Sequence, residues 1–149
     1  MEALTRLKRV VSGEATADDL GWLSARLGAY LTNPERGMEH AFRLNRSAGE
    51  IPWWRLERRQ RRDALILRLW RERFPTSTAW VAAEQILAAQ QRYATSTWQH
   101  DLSLAEPPDD PTAALLWEAM RLEEKFPTSH RRIFEILNIS KATPSTEIK

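Results

Sequence analysis

The sequence predicts an all-α protein, which we expect to be a compact bundle of about six or seven helices with orthogonal or irregular packing. Glycine is scarce, with 5 among 149 residues, and runs of β-branched residues are short. Apolar residues recur at the three- and four-residue spacing of one helical face along almost the whole chain. A chain of this length fits one domain. We expect residues 1–138 to form that domain and residues 139–149 to be a polar tail.

Three helices are expected in the first third of the chain. The first covers about residues 2–11, where apolar side chains share one side. Thr16 and Asp19 predict the start of the second helix, because a threonine and an acidic residue three positions later can cap each other's backbone N–H groups. Asn33 and Pro34 predict the N-cap and first residue of a short third helix.

Four further helices are expected after the loop at residues 46–51. Proline marks their limits, because it is tolerated in the first turn of a helix but ends one that precedes it. The predicted helices cover about residues 52–73, 78–98, 111–125 and 130–138. The predicted caps of the last three are Thr76 or Ser77, then Asp110, then Ser129.

The tetrapeptide Phe-Pro-Thr-Ser occurs at residues 74–77 and again at residues 126–129. Each copy ends one predicted helix and precedes the next. A duplicated pair of helices is one interpretation. The other, which we favour, is that an aromatic residue, a helix breaker and a cap suit any such corner.

Positive charge is concentrated in the middle of the chain. Residues 52–100 carry nine basic and four acidic side chains, whereas residues 101–149 carry six basic and nine acidic ones. On a helical wheel, four arginines of the 52–73 helix lie together, opposite its apolar face. They are Arg55, Arg58, Arg59 and Arg62. We expect this basic cluster to face water.

Three explanations of the basic cluster remain open. Arginines at this spacing repel one another, which favours an anionic partner, either nucleic acid or an acidic protein surface that includes a second copy of the chain. The third is a solvated face, or one neutralised within the fold by residues 101–110 or by Glu118, Glu123 and Glu124. Trp54 lies off the apolar face of its helix, so we expect it to be exposed and to offer the partner a flat contact. The tryptophans expected in the core are Trp22, Trp70, Trp80, Trp98 and Trp117.

A second candidate binding patch lies at the start of the 130–138 helix and consists of His130, Arg131 and Arg132. If the 111–125 and 130–138 helices form a DNA-binding helix-turn-helix, these side chains lie where base contacts are usual. The acidic first helix and the missing turn glycine count against this interpretation.

Catalytic chemistry finds little support in the sequence. The chain has no cysteine, which excludes a disulfide framework, a thiolate zinc site and a cysteine nucleophile. The three histidines lack metal-ligand spacing, and no glycine-rich phosphate loop occurs. We therefore expect no enzyme, no catalytic residue, no metal and no cofactor.

No apolar run is long enough to span a bilayer, and the N-terminus lacks a signal-peptide pattern. We therefore expect a cytoplasmic protein without membrane contact.

Three segments, RRDALILRLWRERFPTSTAWVAAEQI, LLWEAMRL and PTSHRRIFEIL, resemble a group of small all-helical bacterial proteins of unassigned function, over roughly residues 61–137. The resemblance implies a helical fold and a bacterial origin, but no activity.

The function predicted from the residues is that of a non-enzymatic binding or regulatory protein that contacts nucleic acid through the Arg/Trp helix. The alternative is a protein-interaction or self-assembling adaptor module.

Overall fold

The computed structural model describes residues 2–45, 49–122 and 124–139, and this part of the chain is all-α, without a strand. The predicted fold class is confirmed. The described residues form eight α-helices, with a 3-10 turn at Pro34–Arg36 between the second and third. The helices are α1 (Glu2–Val11), α2 (Ala17–Thr32), α3 (Gly37–Ala41), α4 (Trp53–Arg73), α5 (Ala79–Thr95), α6 (Trp98–Asp101), α7 (Pro111–Met120) and α8 (His130–Ile139).

Side-chain caps account for several helix starts. Thr16 and Asp19 form the predicted capping box at α2, and the Asp110 carboxylate accepts from the Ala113 N–H at 2.7 Å at the start of α7. Ser129 accepts from the Arg132 N–H at 3.3 Å, as expected for α8. The cap of α5 is Thr78 rather than Thr76 or Ser77.

Asn33 precedes the 3-10 turn, but its side chain makes no capping hydrogen bond. The helices predicted at residues 78–98 and 111–125 are both shorter than expected. The 78–98 helix ends at Thr95 because hydroxyl groups there compete for the helix carbonyls. Thr95 Oγ1 donates to Gln91 O at 2.9 Å, and Ser96 Oγ donates to Arg92 O at 2.7 Å. A separate short helix, α6, follows. The predicted 111–125 helix ends at Met120.

The contacts of the chain divide it into two compact units, Met1–Trp53 (unit 1) and Trp54–Lys149 (unit 2). The single domain expected over residues 1–138 stays a prediction, and the expected tail at 139–149 lies outside the described residues except for Ile139, which ends α8.

Unit 1 has few buried apolar side chains. α1 and α3 each pack against α2, but the buried apolar residues of its described part are only Ala41 and Phe42. The fully buried Asp19 carboxylate instead accepts from Arg9 at 2.6 and 2.9 Å and from the N–H and hydroxyl of Thr16. A polar pair therefore joins α1 to α2.

Unit 2 contains the main apolar core, and the packing of α8 along α5 is its most extensive helix pair. Its fully buried apolar side chains include Ile66, Leu69, Ile86, Leu116, Ile133 and Leu137. Beside this core, the Tyr93 hydroxyl donates to Asp101 Oδ2 at 2.9 Å, and Trp117 Nε1 donates to the Asp101 carbonyl at 2.7 Å. Both Tyr93 and Asp101 are buried, so this network joins α5, α6 and α7.

None of the helices in the described ranges combines the length and the apolar character needed to cross a membrane.

Candidate functional site

Two of the four arginines in the basic cluster bind an acid of the same chain. Arg59 Nε lies 2.8 Å from Glu124 Oε1, and Arg55 Nε lies 3.2 Å from Glu124 Oε2. Glu124 is buried, and the hydrogen bond from Arg59, followed by that from Arg55, lowers the pKa of its carboxyl group. Of the three explanations left open by the sequence, internal neutralisation is the one observed for these two side chains.

Arg62 does not face water. It is only 6% exposed, and its Nη1 donates to the Lys125 carbonyl at 2.6 Å while Nε and Nη2 donate to Asp63 Oδ1. The expectation of four water-facing arginines is therefore wrong at this position. The physical reason is that the segment after α7, which carries Glu124 and Lys125, packs over this side of α4. A helical wheel contains no information about a segment more than 60 residues away in the chain.

The prediction for Trp54 agrees with the structure, and the prediction for Trp80 is wrong. Trp54 is 42% exposed, as expected, and the Arg58 guanidinium lies over its ring at 5.0 Å in a cation–π contact. Trp80 was expected in the core but is 57% exposed. Trp80 is the second residue of α5, and the rings of His130 and Phe134 contact its ring in T-shaped geometry, with centroid distances of 4.0 and 5.2 Å.

The second predicted patch is held by contacts within unit 2. His130 Nε2 lies 2.8 Å from the Trp80 carbonyl, and the two rings are 4.0 Å apart. Arg131 and Arg132 both contact Glu135, at 3.2 and 3.3 Å. Residues 121–129 separate α7 from α8, a longer connection than the three- to four-residue turn of a helix-turn-helix. The helix-turn-helix interpretation is therefore wrong in its geometry.

A surface that the sequence analysis missed lies on α2. Nine of the thirteen residues from 20 to 32 are exposed, and none of the nine is charged. Three are leucines, with Leu20 52%, Leu27 40% and Leu31 76% exposed. The exposed side of a helix in water normally carries charged residues, so this uncharged surface is unusual. We call it the outer face of α2.

The remaining exposed residues of the outer face are small or polar. They are Gly21, Ser24, Ala25, Gly28, Ala29 and Thr32. A Cβ atom added at Gly21 or Gly28 would meet nothing within 4 Å, so the backbone of α2 is open to close approach there. The lack of charge on this face is visible in the sequence, since Arg26 is the one charged residue between 20 and 32.

Metal binding receives no support from the geometry of the described ranges, where no three His, Asp or Glu side chains come together in a way that could hold an ion. The expected absence of a metal and of a cofactor stays a prediction.

No family model, curated protein or solved structure matches this chain. The resemblance to small helical bacterial proteins therefore stays a prediction.

Proposed function

We propose that this chain is a non-enzymatic protein-interaction module that pairs with a second copy of itself through the outer face of α2. The observation that carries the proposal is the exposure of Leu20, Leu27 and Leu31 on a helix face without charge. Exposed apolar surface of this kind is typical of an interface between proteins. Self-assembly was the alternative function predicted from the sequence, although there it was assigned to the charged middle of the chain.

The spacing of the outer face suits a copy of itself. Leu20, Ser24, Leu27 and Leu31 follow one another at intervals of four, three and four residues and lie within about 60° of each other around the helix. This order of intervals is the same in both directions. Two antiparallel copies related by a two-fold axis therefore place Leu20 opposite Leu31 and Leu27 opposite Ser24. Leu27 of one copy then meets the small Ser24 of the other, and Leu20 meets Leu31 at each end of the contact.

Charge also favours the antiparallel pair. The Asp18 carboxylate at the N-terminal end of α2 already pairs with Arg6 at 2.8 Å, so the helix dipoles carry the electrostatic argument. An antiparallel arrangement places the partly positive N-terminal end of each helix beside the partly negative C-terminal end of the other. Because the face itself has no charge, the two copies do not repel one another along it.

The size of α2 limits the strength of the pair. A helix of 16 residues is about 24 Å long, so two such helices bury less than the roughly 800 Å² per partner of a standard interface. We expect a reversible dimer with a Kd of about 10 μM or weaker.

Sedimentation velocity over about 1 μM to 1 mM protein tests the proposal, because that range spans the expected Kd. The wild type should change from monomer to dimer with concentration, and Leu27→Glu should stay monomeric. Leu102→Glu is the matched control, since Leu102 is an exposed leucine of unit 2 outside the outer face, and it should dimerise like the wild type. A wild type that is monomeric throughout, or a Leu27→Glu variant that still dimerises, would contradict the proposal.

Salt separates this dimer from the charge-driven one expected from the sequence. An apolar interface keeps its affinity as salt rises, whereas docking of the basic α4 on an acidic segment weakens. We expect the midpoint of dimerisation to change less than about threefold between 0.05 and 0.5 M NaCl.

Nucleic-acid binding by α4 stays a prediction with less support, because Arg62 is buried and Arg55 and Arg59 bind Glu124. Arg61 is exposed on the same helix. A salt-titrated gel shift that compares the wild type with a variant in which Arg58 and Arg61 are alanine tests this prediction. Equal binding of nucleic acid by both proteins would contradict it.

The cytoplasmic location expected from the sequence also stays a prediction.

A further inference from the structure

A pocket of about 370 Å³ lies within unit 1, on the side of α2 away from its outer face. Its volume falls in the range of small-molecule sites. It is lined by the first residues of α1, by one turn of α2 and by the residues that follow α3. These are Glu2, Ala3, Trp22, Arg26, Phe42 and Arg43.

Arg26 brings an unused donor to this pocket. Its Nε atom is buried and has no hydrogen-bond partner among the residues that the structure describes. Buried donors in folded proteins are nearly always bonded, so one left open in the wall of a pocket needs an explanation. Trp22 lies one turn earlier on α2, on the same side of the helix.

Arg43 occupies a position at which glycine is usual. Its φ is +54°, and it is the one non-glycine residue with positive φ in the described part of the chain. The Arg43 N–H donates to His40 O at 3.0 Å and the Leu44 N–H donates to Glu39 O at 2.8 Å, which is the hydrogen-bond pattern of a Schellman cap. An arginine there is strained, and residues kept in strained conformations often serve a functional site.

The charge of the pocket is positive. Arg26 and Arg43 both line it, whereas the Glu2 carboxylate already accepts from Arg6 at 3.0 Å. Guanidinium groups bind carboxylates and phosphates through paired hydrogen bonds.

The pocket also has an apolar wall. The rings of Trp22 and Phe42 form it, with their centroids 5.8 Å apart and their planes nearly perpendicular, and such a wall suits a flat molecule.

We propose that this pocket binds a small aromatic carboxylate. Arg26 and Arg43 hold the carboxylate, and Trp22 and Phe42 contact the ring. The site lies on a different side of α2 from the proposed dimer surface, so the two proposals stand on separate observations.

Isothermal titration calorimetry with indole-3-acetate tests the proposal. We expect saturable one-to-one binding, with indole-3-acetamide and acetate each binding at least about tenfold more weakly, because one lacks the charge and the other lacks the ring. Absence of indole-3-acetate binding would overturn the proposal. So would inorganic phosphate or acetate binding as tightly as indole-3-acetate, since the aromatic wall would then contribute nothing.

The variant Arg43→Gly separates ligand binding from folding. Glycine adopts positive φ without strain, so the melting temperature should equal or exceed that of the wild type, while affinity for indole-3-acetate falls at least about tenfold. Arg26→Gln should show a similar loss of affinity. Arg36→Gln, which removes an exposed arginine of the same unit outside this pocket, should bind like the wild type. Undiminished binding by Arg43→Gly, or an equal loss in Arg36→Gln, would refute the assignment.

Discussion

Arg62 shows how burial changes the role of a charged residue. The sequence places it among three other arginines as a surface group, but it bonds to the Lys125 carbonyl and to Asp63 beneath the segment that follows α7. Its removal leaves the Lys125 carbonyl without this donor and the space of a buried side chain unfilled. We expect Arg62→Ala to lower the free energy of unfolding by about 2–3 kcal/mol. Urea denaturation measures this, with Arg61→Ala as the exposed control, expected to change stability by less than about 0.5 kcal/mol.

Asp19 makes unit 1 sensitive to acid. The hydrogen bond from Arg9, together with the bonds from Thr16, lowers the pKa of its carboxyl group well below the ordinary 3.8. The folded state therefore holds the Asp19 proton less tightly than the unfolded state. The stabilising contribution is complete above the ordinary pKa and is lost as the pH falls below it.

We expect the melting temperature of the wild type to fall as the pH decreases from about 4 toward 2, and part of that fall to disappear in Asp19→Asn. Asp19→Asn should already melt lower at neutral pH, because the ion pair with Arg9 is gone. Asp18→Asn, which changes the exposed neighbour, should keep the dependence of the wild type. Identical acid profiles in all three proteins would show that the Asp19 pair does not stabilise unit 1.

At the scale of elements, one buried network holds three helices of unit 2 together. Tyr93 of α5 and Trp117 of α7 both donate to Asp101 at the end of α6. Burial, reinforced by the bond to Asp101, raises the pKa of the Tyr93 hydroxyl, so it stays protonated and continues to donate.

Tyr93→Phe removes one donor from a buried carboxylate and keeps the ring. We expect a loss of about 1–3 kcal/mol in the free energy of unfolding, measured by chemical denaturation. Tyr30→Phe serves as control, since Tyr30 is only partly buried and makes no hydrogen bond through its hydroxyl in the described part of the chain. An equally small effect of both changes would mean that water replaces the Tyr93 hydroxyl without cost.

At the scale of the whole molecule, the two units differ in how much apolar surface they bury. Among the described residues, nearly all of the buried apolar ones belong to unit 2, whereas α1 has no buried residue. Regions with few buried apolar contacts open more readily than the rest of a protein. Native-state hydrogen exchange should therefore show amides of α1 and α2 exchanging at least about tenfold faster than those of α5 and α8. Equal protection across both units would contradict this assignment.

Dimerisation should change this pattern in a specific way. If the outer face of α2 pairs with a second copy, its amides gain protection as the protein concentration rises, because association favours the folded form of the element at the interface. Amides of α8 should not respond to concentration. This comparison connects the stability of unit 1 to the proposed function.

Much of the fold was predictable because its causes are local. The capping box at Thr16 and Asp19, the Asp110 cap with Pro111 behind it, and the Ser129 cap depend on residues three positions apart. The interruption after Thr95 was missed, although its cause is also local: hydroxyl groups compete with the helix for carbonyl oxygens.

The sequence alone determined the helical class, most helix starts and the separation of basic from acidic segments, because apolar periodicity and caps act within a few residues. Only the tertiary structure decided which charges meet, as in the contact of Arg55 with Glu124, 69 positions along the chain. It also decided that one side of α2 faces a charged pocket and the other faces water without a charge. Such outcomes depend on which distant segment covers a helix, and no local rule contains that information.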